Sequence, residues 1–199
     1  MYHRQFALVV LVASILLGCG PSNEEKAIKS FYKGLSWDKK GEYDNAIVYY
    51  NEAIRLNPNY ADAYSFRGSA WDKKGEYDKA IVDYNEAIRL EPKDAGSYFM
   101  RGSAWDDKGE YDKAIADYNE AIRLNPNYPL AYHMRGVTWY NKGEYEKAIE
   151  DYNEAIRLNP SYPLTYYMRG ISWEKKGNKA KAEADFKKAE ELEQKQKGK

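Results

Sequence analysis

The feature that most constrains this chain is a segment of eight residues that returns at a fixed interval of 34 residues. Asn51–Pro58 reads NEAIRLNP, and closely similar segments follow at 85–92, 119–126 and 153–160, with a degraded fifth copy at 187–194. A fixed period of about 20 to 50 residues indicates one supersecondary unit whose stacked copies bury a shared core. We therefore expect a repeat array and not a domain built around one central core. The expected units are 27–60, 61–94, 95–128, 129–162 and 163–196.

Each unit carries the signals for two helices joined by a tight turn. One glycine per unit stands where the first helix should end in a left-handed residue. These glycines are Gly41, Gly75, Gly109, Gly143 and Gly177. A proline then stops the second helix. These prolines are Pro58, Pro92, Pro126 and Pro160. The spacing therefore predicts a helix–turn–helix unit.

A second glycine column falls inside each predicted first helix. It consists of Gly34, Gly68, Gly102, Gly136 and Gly170. A glycine in a helix interior costs about 1 kcal/mol relative to alanine. Because the cost recurs in every unit, we expect another backbone to come close at these positions.

The pattern resembles the tetratricopeptide repeat family. The family pattern is W-x2-L-G-x2-Y, then A-x3-F, then P. The second unit reads Tyr64-x2-Arg67-Gly68-x2-Trp71, then Ala80-x3-Tyr84, then Pro92. The resemblance covers residues 27–196 and implies an all-α, right-handed superhelical solenoid of about five helix–turn–helix units, with ten helices. It also implies that the first helices line a concave groove in which a protein or peptide partner binds.

One departure from the family pattern is an arginine at the position where leucine is usual. An aspartate follows sixteen residues later in the same unit. The pairs are Arg67 with Asp83, Arg101 with Asp117, Arg135 with Asp151, and Arg169 with Asp185. The first unit has Lys33 and Tyr49 instead, so both members are lost together. We interpret the pairs as structural ion pairs between the two helices of a unit. The alternative is a ladder of arginines that binds an anionic ligand.

The first twenty residues differ from the rest of the chain. Phe6–Leu17 is an apolar run of about 12 residues, too short for a membrane-spanning helix of about 20 but suited to the core of a signal peptide. The run ends in Leu16-Leu17-Gly18-Cys19, which resembles the lipobox of bacterial lipoproteins. This resemblance implies that residues 1–18 are removed and that Cys19 is lipidated. The alternative is an ordinary signal peptide that happens to contain a cysteine.

A short tether should connect the lipid to the repeats. We assign 19–23 to this tether and 24–199 to the repeat domain. Ser22 with Glu25 fits a capping box, which predicts a helix start near Asn23. The expected location is the bacterial cell envelope, in the outer membrane and facing the periplasm, because Gly20 and not aspartate follows the cysteine.

The exposed columns of the first helices predict where a partner binds. They are small and acidic in the second and third units, and apolar and aromatic in the fourth and fifth. The candidate partner-binding residues are Phe99, Leu130, His133, Tyr140, Leu164 and Tyr167. We expect His133, Tyr140 and Tyr167 to be exposed. Leu130 and Leu164 either line the groove or pack between neighbouring first helices.

Composition argues against several other functions. Lysine plus arginine and aspartate plus glutamate both number 31, so nothing favours a nucleic-acid partner. One cysteine and two histidines cannot supply a site of several nitrogen and sulfur ligands, so no metal is expected. No phosphate loop or nucleophile motif is present, and we expect no enzyme activity, cofactor or small-molecule substrate. The sequence predicts a lipid-anchored adaptor that helps to assemble an envelope complex. The alternative is a structural repeat protein that associates with itself.

Overall fold

The structure, a computed structural model, describes residues 20–197. The predicted signal peptide and Cys19 lie outside the described residues. Ten α-helices and no strand occur between residues 20 and 197. The helices are α1 Asn23–Asp38, α2 Tyr43–Leu56, α3 Ala61–Lys73, α4 Tyr77–Leu90, α5 Ala95–Asp107, α6 Tyr111–Leu124, α7 Pro129–Asn141, α8 Tyr145–Leu158, α9 Pro163–Lys175 and α10 Lys179–Lys197. The predicted all-α repeat fold is confirmed.

The chain forms two compact units. Among the described residues, unit 1 covers 20–92 and contains α1 to α4, and unit 2 covers 93–197 and contains α5 to α10. Within each unit every helix packs against the next one along the chain. The first helices of consecutive repeats are also in contact. These pairs are α1 with α3 in unit 1, and α5 with α7 and α7 with α9 in unit 2. The second helices within a unit make no such contact, so the first helices lie on the inner side of each unit.

The turn inside each repeat depends on a left-handed glycine. Gly41 has φ 77°, and Gly75, Gly109, Gly143 and Gly177 have φ between 75° and 80°. In the first repeat the Gly41 amide donates to the Asp38 carbonyl at 2.9 Å, and the Glu42 amide donates to the Trp37 carbonyl at 3.1 Å. These bonds satisfy carbonyls at the end of α1 that have no partner within the helix. The predicted end of each first helix is confirmed.

The glycines inside the first helices face an aromatic ring. A Cβ atom added at Gly34 would lie 2.5 Å from Tyr50 Cε1, and one at Gly136 would lie 2.7 Å from Tyr152 Cε1. The same holds for Gly68 with Tyr84, Gly102 with Tyr118 and Gly170 with Phe186. The expectation of a close backbone is therefore corrected, because the nearest neighbour is in each case the ring sixteen residues later. The absent Cβ leaves room for a large ring that fills the core.

The two ends of the described chain are polar. At the start, the Glu25 amide donates to Ser22 Oγ at 3.1 Å and the Ser22 amide donates to Glu25 Oε2 at 2.8 Å, which confirms the predicted capping box. At the other end, α10 buries only Ala182, Asp185 and Ala189.

In the part of the chain that the structure covers, none of the helices has the length and apolar character to cross a membrane.

Candidate functional site

Four large apolar side chains are exposed near the start of α7 and α9, which are the first helices of the fourth and fifth repeats. Leu130 lies in the first turn of α7, and Leu164 and Tyr167 lie on α9. Tyr162 precedes α9 as its N-cap residue. Between 37% and 49% of each residue is accessible to solvent. We refer to Leu130, Tyr162, Leu164 and Tyr167 as the apolar patch.

A shallow cavity opens within the apolar patch. It has a volume of about 330 Å³ and lies between the start of α7, the end of α8 and the start of α9. Its lining consists of Pro129, Leu130, Ala155, Asn159, Tyr162 and Thr165. Most of these groups are apolar, and Asn159 adds an amide. A cavity of this size and lining can receive an apolar side chain from a partner.

Prolines position this cavity at the start of both helices. Pro129 and Pro163 each occupy the first turn of a helix, where the missing amide proton costs nothing. The residue after each proline is a leucine, and these leucines are 34 positions apart. The repeat therefore places Leu130 and Leu164 at equivalent, solvent-exposed points of neighbouring first helices.

The expectation that His133 is exposed was wrong. His133 is only 3% exposed, and its Nδ1 atom lies 3.0 Å from the hydroxyl of Thr165 on α9. Its ring packs against Tyr152 and Tyr162, with centroid distances of 5.7 and 5.5 Å. The cause is the following repeat, because its Thr165 and Tyr162 pack against the His133 ring. Register alone does not decide burial, since Tyr167 holds the same column in the fifth repeat and is exposed. Burial lowers the pKa of His133 to about 4, so its ring is neutral near pH 7.

The other candidates divide between the patch and the repeat core. Tyr167 is exposed as predicted. Leu130 and Leu164 are exposed as well, so of the two alternatives they line the groove and do not pack between neighbouring first helices. Tyr140 is half-buried, with its ring 5.4 Å from that of Tyr145, so the prediction of an exposed Tyr140 is corrected. Phe99 is half-buried as well. Its ring lies 5.8 and 5.1 Å from those of Tyr118 and Tyr128.

Sequence reasoning missed Tyr162. This residue belongs to the loop between repeats, and the predicted groove was built only from columns within the first helices. Tyr60 and Tyr128 occupy the same loop position and are half-buried. A search of the loop columns for aromatic residues beside the groove would have found it.

The four arginine–aspartate pairs are present in the structure. In each, Arg Nε and Nη2 donate to the two carboxylate oxygens, as in Arg135 with Asp151 at 2.8 and 2.6 Å. The others are Arg67 with Asp83, Arg101 with Asp117 and Arg169 with Asp185. The four aspartates are buried. Such bidentate, buried geometry is typical of an internal connection between helices.

A third contact engages these arginines further. Nη1 of Arg67 donates to Asn51 Oδ1 of the preceding repeat at 2.6 Å. Arg135 with Asn119 and Arg169 with Asn153 repeat this bond. Because Nε, Nη1 and Nη2 of these guanidinium groups all donate to acceptors within the protein, few N–H donors are left for an external anion. The geometry favours the structural interpretation over an anion-binding ladder.

Comparison with protein families agrees with the repeat pattern. A family model described as TPR repeat matches residues 39–71, 107–143 and 138–177. Two models described as tetratricopeptide repeat match residues 61–94 and 164–196. Together these matches cover most of the chain. A sequence search of curated proteins gave no match.

Solved structures with the same fold include MamA. The chain is 31% identical to one crystal structure of MamA, with a TM-score of 0.77, covering 83% of this chain and 97% of that chain. MamA from Desulfovibrio magneticus RS-1 is 22% identical, with a TM-score of 0.79, covering 86% and 97%. YrrB, described as a TPR protein with an unusual peptide-binding site, is 22% identical, with a TM-score of 0.69, covering 94% and 93%. The last two show similarity of fold alone.

Proposed function

The chain belongs to the tetratricopeptide repeat family, and on this basis we propose that it is a non-enzymatic adaptor anchored to a bacterial membrane by lipid. Its proposed partner is a protein or peptide segment that binds the apolar patch on the inner side of unit 2. By holding such a segment near the membrane, the adaptor would assist the assembly of an envelope complex.

The observation that carries this proposal is the exposure of the apolar patch. Single exposed apolar residues are common on protein surfaces, but a cluster beside a cavity marks an interaction site. Here Leu130 and Tyr162 line one cavity, and Leu164 and Tyr167 lie one helical turn apart on α9. A few residues supply most of the binding free energy at protein interfaces, and tyrosine is enriched among them. The peptide-binding site named for YrrB supports the same class of partner.

Membrane anchoring is proposed from the sequence. The lipobox-like Leu16-Leu17-Gly18-Cys19 supports it, and so does the position of Cys19 just before the first helix. We place the protein in the cell envelope, on the outer membrane and facing the periplasm.

Photocrosslinking tests the binding site. A photoreactive phenylalanine analogue at position 167 should trap a partner in intact cells, and mass spectrometry then identifies the crosslinked segment. Leu164→Glu with Tyr167→Glu should weaken binding of that segment at least about tenfold, equivalent to about 1.4 kcal/mol. The reason is that two carboxylates would replace the apolar anchors.

A matched control places the same charges on the outer side of unit 2. Ala116→Glu with Ala184→Glu changes two exposed residues of second helices, and the equivalent position of the fourth repeat is already Glu150. This control should keep wild-type affinity and wild-type helix content. Equal loss of affinity in the two double variants would refute the apolar patch as the binding site.

The second candidate function is self-association. Val48 and Val82 favour it, because they are 62% and 65% exposed at equivalent positions of α2 and α4. Light scattering over a range of concentrations distinguishes the two functions. A mass that rises with concentration in the wild type, and not in Val48→Glu with Val82→Glu, would favour self-association.

A further inference from the structure

The first helix of the chain carries a row of lysines at one end of unit 1. Lys26, Lys29 and Lys33 follow at intervals of three and four residues, which places them along one side of α1. All three are exposed. In the fourth and fifth repeats, the residues equivalent to Lys29 are Ala131 and Thr165. The preceding repeat covers both, and they are 0% and 1% exposed. On α1 the equivalent side is exposed to solvent, and the charged Lys29 replaces the small residue.

These lysines share one shallow cleft with the end of α2. The cleft has a volume of about 410 Å³. It is lined by Asn23, Lys26, Lys29, Ser30, Lys33, Glu52, Arg55 and Leu56. We refer to it as the basic cleft. Arg55 donates to both oxygens of Glu52 at 2.7 and 2.8 Å, so this pair contributes no net charge.

The three lysines give the basic cleft a net positive charge. Lys26, Lys29 and Lys33 form no ion pair with any of residues 20–197, and Lys33 lies 5.4 Å from the Tyr49 ring. Glu25, the nearest carboxylate in sequence, is buried and accepts the Ser22 amide. A terminal repeat needs only a polar surface. The exposed surface of α10 meets that need with mixed charges, so the single sign of the basic cleft requires another reason.

The distance to Cys19 supplies that reason. Four residue steps separate Cys19 from Asn23 and span at most about 14 Å. Lys26 and Lys29 then lie about 5 and 9 Å further along the helix. Lipid attached to Cys19 would hold these ammonium groups near the headgroups, where attraction acts over a Debye length of about 8–10 Å. A soluble acidic partner would have no such enforced proximity.

We propose that Lys26, Lys29 and Lys33 bind the phosphate groups of anionic phospholipids in the membrane that holds Cys19. This inference rests on the proposed lipid anchor. Anionic leaflets attract lysines near their surface, and a basic patch acts as a second membrane signal beside an acyl chain. The contact holds α1 against the bilayer, so that the anchor fixes an orientation as well as a location.

Lysine acetylation on vesicles tests the contact. The full chain, purified from membranes, is reconstituted in vesicles of phosphatidylcholine alone or of phosphatidylcholine with phosphatidylglycerol. Mass spectrometry then gives the acetylation rate of each lysine. Phosphatidylglycerol should slow acetylation of Lys26, Lys29 and Lys33 at least about fivefold. About 1 M salt should abolish the effect, because the Debye length falls to about 3 Å.

Flotation of the same samples tests the anchor separately. Phosphatidylcholine carries no net charge, so flotation on it alone reports the lipid at Cys19. Flotation with equal acetylation on both vesicles would refute the lysine contact and leave the anchor intact. Failure to float on phosphatidylcholine would refute the anchor, and slowed acetylation on phosphatidylglycerol would then still support the contact. Equal slowing by glycerol 3-phosphate without vesicles would show a site for a soluble anion and refute the proposal.

Variants give a second measurement. Phosphatidylglycerol should slow hydrogen exchange of the α1 amides in the wild type but not in Lys26→Gln, Lys29→Gln, Lys33→Gln. The matched control changes three exposed lysines of α10, as Lys179→Gln, Lys187→Gln, Lys195→Gln, and should behave as the wild type. Loss of the effect in the control as well would point to total charge and contradict a specific basic cleft.

Discussion

At the scale of single residues, Gly102 and Tyr118 illustrate how each repeat closes. Tyr118 is fully buried, and its Cε1 atom would lie 2.9 Å from a Cβ atom at Gly102. The Asp117 Cβ atom would lie at 3.2 Å on the same side. Neither neighbour has room to move, because the ring is enclosed and Asp117 is held by Arg101. Glycine at this position lowers the stability of the helix, but its missing Cβ atom leaves room for the ring to fill the core.

Gly102→Ala should therefore destabilise the protein although alanine favours helix. Overpacking costs about 1–3 kcal/mol, which exceeds the gain in helix propensity of about 1 kcal/mol. Urea unfolding followed by circular dichroism measures the change. Gly96→Ala is the control in the same helix, because its Cβ would meet only the Asp94 side chain, at 3.3 Å. A stability for Gly102→Ala equal to or above that of the control would contradict the packing argument.

At the scale of helices, the contact between α7 and α9 differs from its equivalents. His133 meets Thr165 there through a hydrogen bond. Within the two units, the corresponding residues are Phe31 with Ala63 and Phe99 with Ala131, which are purely apolar. The polar pair is enclosed, and burial lowers the pKa of His133 from 6.5 to about 4. This contact is therefore sensitive to acid where the apolar ones are not.

The sign of the pH effect follows from the lowered pKa. Protonated His133 favours the unfolded chain, so its stabilising contribution is complete above about pH 6.5 and is lost as the pH falls toward 4. Between pH 7.5 and pH 5 the loss from this group should be about 2 kcal/mol. His133→Phe with Thr165→Ala, which copies Phe99 and Ala131, should lose correspondingly less stability over this range. Urea unfolding at both pH values measures the difference, and identical losses would contradict it.

Much of this architecture follows from the sequence, but the exposure of side chains between repeats does not. Gly41 and its equivalents indicated where helices end, because only glycine tolerates a left-handed turn at no cost. Arg135 and Asp151 were paired because the first repeat has Lys33 and Tyr49 at these positions, so that both members are lost together. His133 was misplaced because helical spacing gives a side of one helix, whereas burial depends on the angle at which the next repeat packs. Tyr162 was missed for another reason, since it lies in a loop, where no helical period predicts which side chains are exposed.

At the scale of the whole molecule, the proposed adaptor combines one attachment point with two surfaces of different chemistry. The basic cleft lies in unit 1 and the apolar patch lies in unit 2. Charge is balanced overall, so neither surface reflects a general bias of composition. We propose that unit 1 binds lipid and that unit 2 binds the protein partner.

The lipid attachment can be tested on the intact protein. Cells grown with labelled palmitate should incorporate label into the wild-type chain and not into Cys19→Ala. The reason is that Cys19 is the only thiol in the sequence and stands where a lipobox requires it. Ser22→Cys with Cys19→Ala is a control that retains one thiol outside the lipobox position. Label in either variant would contradict lipidation at Cys19.

The locality of the contacts bears on how the chain reaches its native state. The side-chain hydrogen bonds of Lys73 with Asp38 in unit 1 and of Gln196 with Ser161 in unit 2 each span 35 positions. Closing such short loops costs little entropy, and proteins with low contact order fold quickly. Neighbouring repeats of a unit can therefore pack against each other before the rest of the chain has been synthesised.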